Sequence, residues 1–331
     1  MEFSIVIPTY NRSSFIGQTI TDVINQIYTD WELIIIDDGS TDDTKEVVAQ
    51  FINNPKIIYI YQENAERSEA RNNGIKNAKG DFICFVDSDE NIYVSDHNGS
   101  RIVKWAPGAT EGVAIISSVN ARSLHVDNSG NIYVSKGYDV IKYTLSDGSY
   151  SASTVAGGNG SGNALNQLAN PQGIDVDDSG NIYVVDEGNH RVVKWAPDAE
   201  VGVLVAGGNS YGSDLNQLYN PKDVTVDSSG NIYVADHNNH RVIKWAPGAS
   251  EGVDILPGNN YYSQGIDLDD SSGNIYVSHY HYHAVRKYTF SGSTYSGSDI
   301  IGTYGSNGTT LTKLSYPRGV HVDRSGNVYV A

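Results

Sequence analysis

The sequence predicts two modules of different class: an α/β unit on a parallel sheet over residues 1–90, and an all-β propeller over residues 91–331. Three observations carry this reading. Apolar β-branched runs alternate with helical stretches in the first ninety residues, the pattern of a parallel sheet. From Asn91 a four-residue word, "NIYV" or "NVYV", begins at Asn91, Asn131, Asn181, Asn231, Asn274 and Asn327. Those steps of 40, 50, 50, 43 and 53 residues suit blades of about four short strands. The composition, with 34 Gly, 23 Tyr and 18% charged residues, is that of turn-rich β structure. A chain of 331 residues has room for about two domains.

In the first module the runs "FSIVIPTY", "WELIIIDDGS", "PKIIYIYQE" and "GDFICFVDSDE" read as buried strands. Helices are expected over residues 13–28, over "STDDTKEVVAQFI" with Ser40 or Thr41 as N-cap, and over "ERSEARNNGIKNA", stopped by Lys79 and Gly80. Parallel sheets bind ligands beyond the carboxyl ends of their strands. Those ends carry Thr9, Tyr10 and Asn11, then Asp37, Asp38 and Gly39, then Asp87, Ser88 and Asp89. Four carboxylates on one rim repel and need a cation or hydrogen-bond donors. Asp-x-Asp oxygens suit a hard divalent ion that also grips phosphate, although Asp-Ser-Asp alone is more often a turn.

The combination is more specific. "SIVIPTYNR", "LIIIDDGSTDDT", "ARNNGI" and "FVDSDE", in this order and spacing, closely resemble the nucleotide-sugar-binding half of family 2 glycosyltransferases with the GT-A (Rossmann-like) fold, over about residues 2–90. The resemblance implies that Pro8, Thr9 and Tyr10 line the base pocket, Asp38 holds the nucleoside and Arg71 lies near the diphosphate. It implies that Asp87 and Asp89 bind Mn²⁺ or Mg²⁺ together with a UDP-sugar donor. Glu90 stands where the family commonly has Asp. The family's acceptor half, which supplies a carboxylate base, has no counterpart in the chain, so no catalytic residue is assigned. Hexosyl transfer with inversion needs both base and metal, and a half-site of this kind is expected to bind without turning over.

The best-formed unit of the second module, "DVTVDSSGNIYVADHNNHRVIKWAPGASEGVDIL", reads as four strands separated by an Asp-Ser-Ser-Gly turn, a polar loop and a Pro-Gly turn. These units resemble NHL repeats, and "NHRVVKW" and "NHRVIKW" carry the signature. The resemblance implies a propeller, most often six-bladed, that serves as a binding platform for protein, peptide or glycan. Complete units begin near Arg122, Gln172, Lys222 and Gln264; residues 91–118 add three strands and residues 318–331 add two. Five or six blades follow, and the stop at Ala331 favours a chain cut within a blade over a closed five-bladed ring.

Three units place an Asp after the "NIYV" strand and an Arg at the start of the next: Asp96 and Arg101, Asp186 and Arg191, Asp236 and Arg241. Two units depart in both positions at once, with Lys136 and Asp139 in one and His279 and Ala284 in the other. Paired departure predicts contact across the hairpin. Trp105, Trp195 and Trp245, with Tyr143 and Tyr288 in register, are expected to pack blades. His125 and His321 are expected to line the channel. His279, His281 and His283 alternate as zinc ligands on a strand would, but His283 matches the loop positions of His190 and His240, so a repeat loop is the preferred reading.

The net charge of −17 divides into −9 for residues 1–90 (7 basic, 16 acidic) and −8 for the rest (15 basic, 23 acidic), which disfavours nucleic acid for both modules. Cys84, the single cysteine, forms no intramolecular disulfide and reads as a buried thiol. No run is long enough to span a membrane, and "MEFSIVIPTYN" has no leader pattern, so the chain reads as soluble and cytoplasmic. One conflict remains. "FICFVDS" aligns with the innermost strand of a blade, "VTVDS", yet its unbroken apolar run suits burial on both faces, which assigns it to the parallel sheet. Two functions stand open: a nucleotide-sugar transferase with only its donor half, and a non-catalytic propeller scaffold.

Overall fold

The computed structural model describes residues 3–25, 29–64, 67–80, 82–85, 91–105, 111–127, 129–146, 148–256, 262–270, 272–292, 294–302, 305, 307–308, 313–322 and 328–331. The chain divides into two compact units, Met1–Ile92 with Lys104–Gly112, and Tyr93–Val103 with Val113–Ala331. Among the described residues no helix is long and apolar enough to cross a membrane.

The first unit holds four strands, β1 (Phe3–Thr9), β2 (Trp31–Asp38), β3 (Ile57–Gln62) and β4 (Phe82–Phe85), and three helices, α1 (Ser13–Ile24), α2 (Thr44–Ala49) and α3 (Arg67–Asn77). The strands form one parallel sheet in the order β3-β2-β1-β4. Strand alternation sorts the apolar residues onto two covered faces. Ile5, Ile7, Leu33 and Ile35 pack with Ile16 and Ile20 of α1 and Val48 of α2, while Val6, Ile34 and Ile36 pack with Ala70 of α3. All eight residues of β2 are buried, as a central strand requires.

The contested stretch belongs to this sheet. Phe82 to Phe85 pair in parallel with Phe3 to Val6. The entry to β4 is tied down by a buried polar cluster: Ser4 Oγ donates to Glu32 Oε1 (2.6 Å), the Lys79 N–H donates to the same oxygen (2.7 Å), and the Gly80 N–H donates to Ser4 Oγ (2.7 Å). A Cβ at Gly80 would lie 2.6 Å from the Ser4 nitrogen, so only glycine allows this approach. The side chain of Cys84 lies outside the described residues.

One helix starts later than expected. α2 begins at Thr44, not after Ser40 or Thr41, because Ser40 Oγ accepts from the Asn11 N–H (2.8 Å) and Asp42 accepts from the Ser13 N–H (3.0 Å). These side chains brace the β1–α1 turn and are not free to cap a helix. Burial alone would raise the Asp42 carboxyl, but hydrogen bonds from Thr44 and Ser13 bring it below the usual range.

The second unit is a five-bladed β-propeller. Its first blade has three strands, β5 (Ile92–Asp96), β6 (Arg101–Trp105) and β7 (Val113–Ser117). The next comprises β8 (Ser123–Val126), β9 (Ile132–Lys136), β10 (Asp139–Ser146) and β11 (Ser149–Ala156). It is followed by β12 (Pro171–Val176), β13 (Ile182–Asp186), β14 (Arg191–Trp195) and β15 (Val203–Gly207). Then come β16 (Asp223–Val226), β17 (Ile232–Asp236), β18 (Arg241–Trp245) and β19 (Val253–Asp254). The last four-stranded blade has β20 (Ser263–Asp269), β21 (Asn274–His279), β22 (Ala284–Phe290) and β23 (Tyr295–Gly302), and a hairpin, β24 (Val320–Val322) and β25 (Val328–Val330), packs against it. Trp195, Trp245 and Tyr288 are buried between neighbouring blades as expected. Among the described residues the first blade has three strands, and Ile92 is 40% exposed where Ile132, Ile182, Ile232 and Ile275 are at most 4% exposed.

The charged pairs make contact, and they hold more than a hairpin. Arg241 Nε donates to Asp236 Oδ2 (2.8 Å), and the same guanidinium donates to the carbonyls of Ser213, Asp214 and Gln217 in the preceding inter-blade loop. Asp236 Oδ1 accepts from the Tyr219 N–H of that loop (2.7 Å). Arg191 and Asp186 repeat the arrangement on the loop before β12. These two loops are long, residues 157–170 and 208–222, whereas the connections into the two departing blades are short, residues 118–122 and 255–262. The two buried pairs thus follow long inter-blade loops and the two departing blades follow short connections, while Asp96 and Arg101 pair in a first blade that follows no inter-blade loop. Burial pushes the Asp236 carboxyl up against its hydrogen bonds from Tyr219, Asn239 and Arg241. The ion pair is desolvated, and losing one partner strands a buried charge.

Innermost strands β8, β12, β16, β20 and β24 lie side by side, with His125, Asp175, Thr225, Asp267 and His321 in register. Asp175 accepts from the Val226 N–H (2.8 Å) and lies 3.0 Å from His125 Nδ1; Asp267 accepts from the Val322 N–H (2.8 Å) and lies 2.8 Å from His321 Nδ1. Asp223 accepts from the Ile266 N–H of the next blade (3.0 Å). The channel lining thus clasps the four-stranded blades to one another and the last of them to the β24 hairpin. Burial, with Asp175 and Asp267 nearby, pushes the Asp223 carboxyl from 3.8 up to about 8.

Arg241→Ala should cost about 3–5 kcal/mol in propeller stability and lower the urea midpoint accordingly, while Arg101→Ala, which removes a guanidinium about half exposed beside Asp96, should leave that midpoint nearly unchanged. The folded propeller holds a proton on Asp223 that the unfolded chain releases near its ordinary value. Its stability should therefore fall as pH rises from 3.8 to about 8 and level off above, and Asp223→Asn should flatten that slope in denaturation series.

Candidate functional site: the carboxyl rim of the parallel sheet

β1 and β2 are in register through Thr9 and Asp37, so Pro8, Thr9, Asp37 and Asp38 reach the same edge of the sheet. The two aspartates there differ in duty. Asp37 is fully buried and spends its oxygens on structure: Oδ1 accepts from the Ser40 N–H (2.8 Å) and Oδ2 from the Tyr59 hydroxyl. Burial and this contact with Asp37 push the Tyr59 hydroxyl up, so it remains a donor. Gly39 makes the turn with φ +85°, and a Cβ there would lie 2.7 Å from the Asn64 nitrogen.

Asp38 points into a different network. Gln62, at the end of β3, donates through Nε2 to Asp38 Oδ1 (2.6 Å), and Asn73 of α3 donates to Gln62 Oε1 (2.8 Å). This relay orients the Asp38 carboxylate from α3. Asn73 belongs to the "ARNNGI" run, whose physical role the sequence left unassigned. Gln62 was missed, and its only signal is its place at a strand end opposite Asp38.

Thr9 is the anomaly of the rim. It is 3% exposed, and its hydroxyl has no hydrogen-bond partner among the described residues. Leaving a buried hydroxyl unpaired costs about 1–3 kcal/mol, a penalty tolerated where a ligand supplies the partner. Tyr10 follows as a half-exposed residue, and Asn11, at φ 50°, accepts from the Thr41 N–H (2.7 Å). Pro8, Thr9, Tyr10 and Asp38 are thus brought to one rim. Arg71 lies on α3, its side chain outside the described residues. β4 runs parallel to β1 as far as Phe85, and Asp87, Ser88, Asp89 and Glu90 lie outside the described residues.

Residues 4–96 match the family model of glycosyl transferase family 2. The NHL repeat model matches residues 168–195 and 218–245. Among curated proteins, an uncharacterized glycosyltransferase of Rickettsia conorii is 42% identical over 92 residues, 28% of this chain and 15% of that protein. Glycosyltransferase GlyA of Streptococcus pneumoniae is 37% identical over 90 residues, 27% of this chain and 13% of that protein. The uncharacterized glycosyltransferase YibD of Escherichia coli is 39% identical over 93 residues, 28% and 27% of the two chains. The chain spans well under half the length of these relatives. Among solved structures, a Bacteroides thetaiotaomicron protein of unknown function matches 73% of this chain and 64% of its own at 15% identity and TM-score 0.56, a likeness of fold. A virginiamycin B lyase from Staphylococcus aureus matches 73% of both chains at 12% identity and TM-score 0.50, again a likeness of fold.

In the glycosyltransferase-like segment, the polar rim sits where parallel sheets bind ligands. His279, His281 and His283 do not share a strand face: His279 ends β21, residues 280–282 form a turn of 3-10 helix, and His283 has φ 56°. His279 is buried against the Tyr288 hydroxyl (3.1 Å), and its burial pulls its imidazole down to about 3. Among the described residues no three His, Cys, Asp or Glu side chains converge on a metal-sized site.

Thr9→Val keeps shape and removes the unpaired hydroxyl, so the free protein should gain about 1 kcal/mol in stability, read from the denaturant midpoint of the first unit.

Proposed function

We propose that the N-terminal unit binds a nucleoside diphosphate sugar with a divalent cation and does not by itself complete transfer, and that the propeller is a binding module joined to it. The supporting observation is the pairing of a pre-oriented Asp38 carboxylate with the unpartnered, buried Thr9 hydroxyl on one rim. A carboxylate accepts from a nucleobase or ribose donor, the Thr9 hydroxyl supplies a further contact, and Pro8 and Tyr10 flank Thr9 in sequence with apolar and aromatic surface. Asp87 and Asp89 supply hard oxygen donors of the type that hold Mn²⁺ or Mg²⁺, and Arg71 is the nearby cation for phosphate. Such an ion, when bound, neutralises diphosphate charge.

The chain's own residues bind and orient, with Gln62 and Asn73 fixing Asp38. Transfer also needs a base to deprotonate the acceptor hydroxyl, and none of the described carboxylates on this rim is free for it: Asp37 and Asp42 hold backbone turns and Asp38 is held by Gln62. A cytoplasmic setting, where nucleotide sugars are made, goes with this reading, and the acidic charge of both modules argues against nucleic acid.

UDP-glucose and UDP-N-acetylglucosamine, titrated calorimetrically with and without Mn²⁺, should bind in a metal-dependent manner. Asp89→Ala should abolish the metal dependence, and Asp38→Ala should weaken binding at least about tenfold. Metal-independent or absent binding sinks the donor-site reading, and release or transfer of the sugar overturns the assignment of a half-site.

A further inference from the structure

One end of the propeller carries a feature that the donor site does not use. In a blade of four antiparallel strands, the loop joining the second and third strands and the loop leading to the next blade emerge at the same end. At that end, three consecutive junctions place tyrosine against histidine. Between the β12–β15 and β16–β19 blades, His190 meets Tyr211 and Tyr219 at 5.6 and 5.9 Å between ring centroids. At the next junction, Tyr262 is surrounded by His240 (4.2 Å), His281 (4.5 Å) and His237 (5.2 Å). At the third, Tyr316 touches His283 (4.6 Å) and Tyr280 (5.0 Å), and Tyr280 touches His281 (5.0 Å). The Tyr219 carbonyl accepts from the Asn238 N–H (3.1 Å), joining the first group to the second.

The groups form a continuous arc over three blades, and several rings remain open to solvent. Tyr211 is 64% exposed and Tyr316 47%. Core packing does not account for rings exposed to that degree. The loops that carry Tyr211 and Tyr219 are held by the buried Arg241–Asp236 pair, so these rings are presented on an anchored loop.

Charge selects the ligand. Lys222 is engaged by Glu187 (2.5 Å), and the Arg318 guanidinium lies over Tyr280 (5.6 Å). Burial first, and Lys222 next to it, pull the His237 imidazole down. The propeller carries a net −8 (15 basic, 23 acidic residues from 91 to 331), which repels a polyanion. An elongated surface of ring faces interspersed with imidazole and phenol hydrogen-bonding groups suits a ligand with apolar C–H faces and many hydroxyls.

We propose that this arc binds a neutral oligosaccharide, with exposed tyrosines stacking on pyranose faces and histidines and phenol groups meeting the hydroxyls. The inference goes beyond the donor-site reading and does not depend on it.

Cellohexaose, mannohexaose and chitohexaose are titrated into the full chain by calorimetry, with decaproline as a peptide probe. At least one hexasaccharide should bind, and Tyr211→Ala and Tyr316→Ala should each weaken it about two- to tenfold, the worth of one stacked ring, without lowering the melting temperature. Asp38→Ala should leave this binding unchanged, which separates it from the donor site. No binding by any hexasaccharide up to about 10 mM, or equal binding by both tyrosine variants, overturns the proposal. Binding of decaproline in place of all three sugars assigns the arc to a peptide and overturns it as well.

Discussion

A strand has two edges, and the segment Phe82–Phe85 has been claimed by one partner: its pairing with β1 in the parallel sheet is the constraint on which both units turn. The same words of sequence fit the innermost strand of a blade. With β4 committed to the sheet, the sheet gains a fourth strand and, among the described residues, the first blade has three. The consequence in the propeller is visible at Ile92, which stays 40% exposed where its counterparts are buried. The choice is enforced locally by Ser4, Glu32 and the Lys79-Gly80 turn, a fully paired polar cluster that leaves room for no side chain at position 80.

Within the propeller, polar groups work as clasps before they are anything else. Asp175, Asp223 and Asp267 each accept a backbone N–H from the following blade, and Asp186–Arg191 and Asp236–Arg241 each gather the carbonyls of a long loop. The design accounts for part of an irregularity in the repeat: the two buried pairs hold long inter-blade loops and the two departing blades follow short connections, whereas Asp96–Arg101 in the first blade holds no such loop. A desolvated pair of this kind contributes register and loop position more than raw stability.

The rim of the sheet follows the opposite logic. There Asp37 is consumed by structure while its neighbour Asp38 is oriented by a relay from α3, and Thr9 is buried without a hydrogen-bond partner among the described residues. Adjacent residues in one motif thus enter two different hydrogen-bond networks, a division set by which way alternate side chains leave a strand.

The sequence by itself determined the two fold classes, the parallel sheet of the first unit, the blade pattern of the second, and the placing of Thr9, Tyr10 and Asp38 at strand ends on one rim. All of these follow from local periodicity and from the rule that parallel strands present their carboxyl ends together. It also assigned "FICF" to the sheet, because an unbroken apolar run suits burial on both faces. Only the tertiary structure decided that Arg191 and Arg241 hold loops, that Gln62 and Asn73 aim Asp38, that α2 starts after Asp42, and that His279 and His283 leave a common face. Each of these depends on contacts between residues distant in sequence or on the precise path of a turn, and neither leaves a periodic trace in the chain.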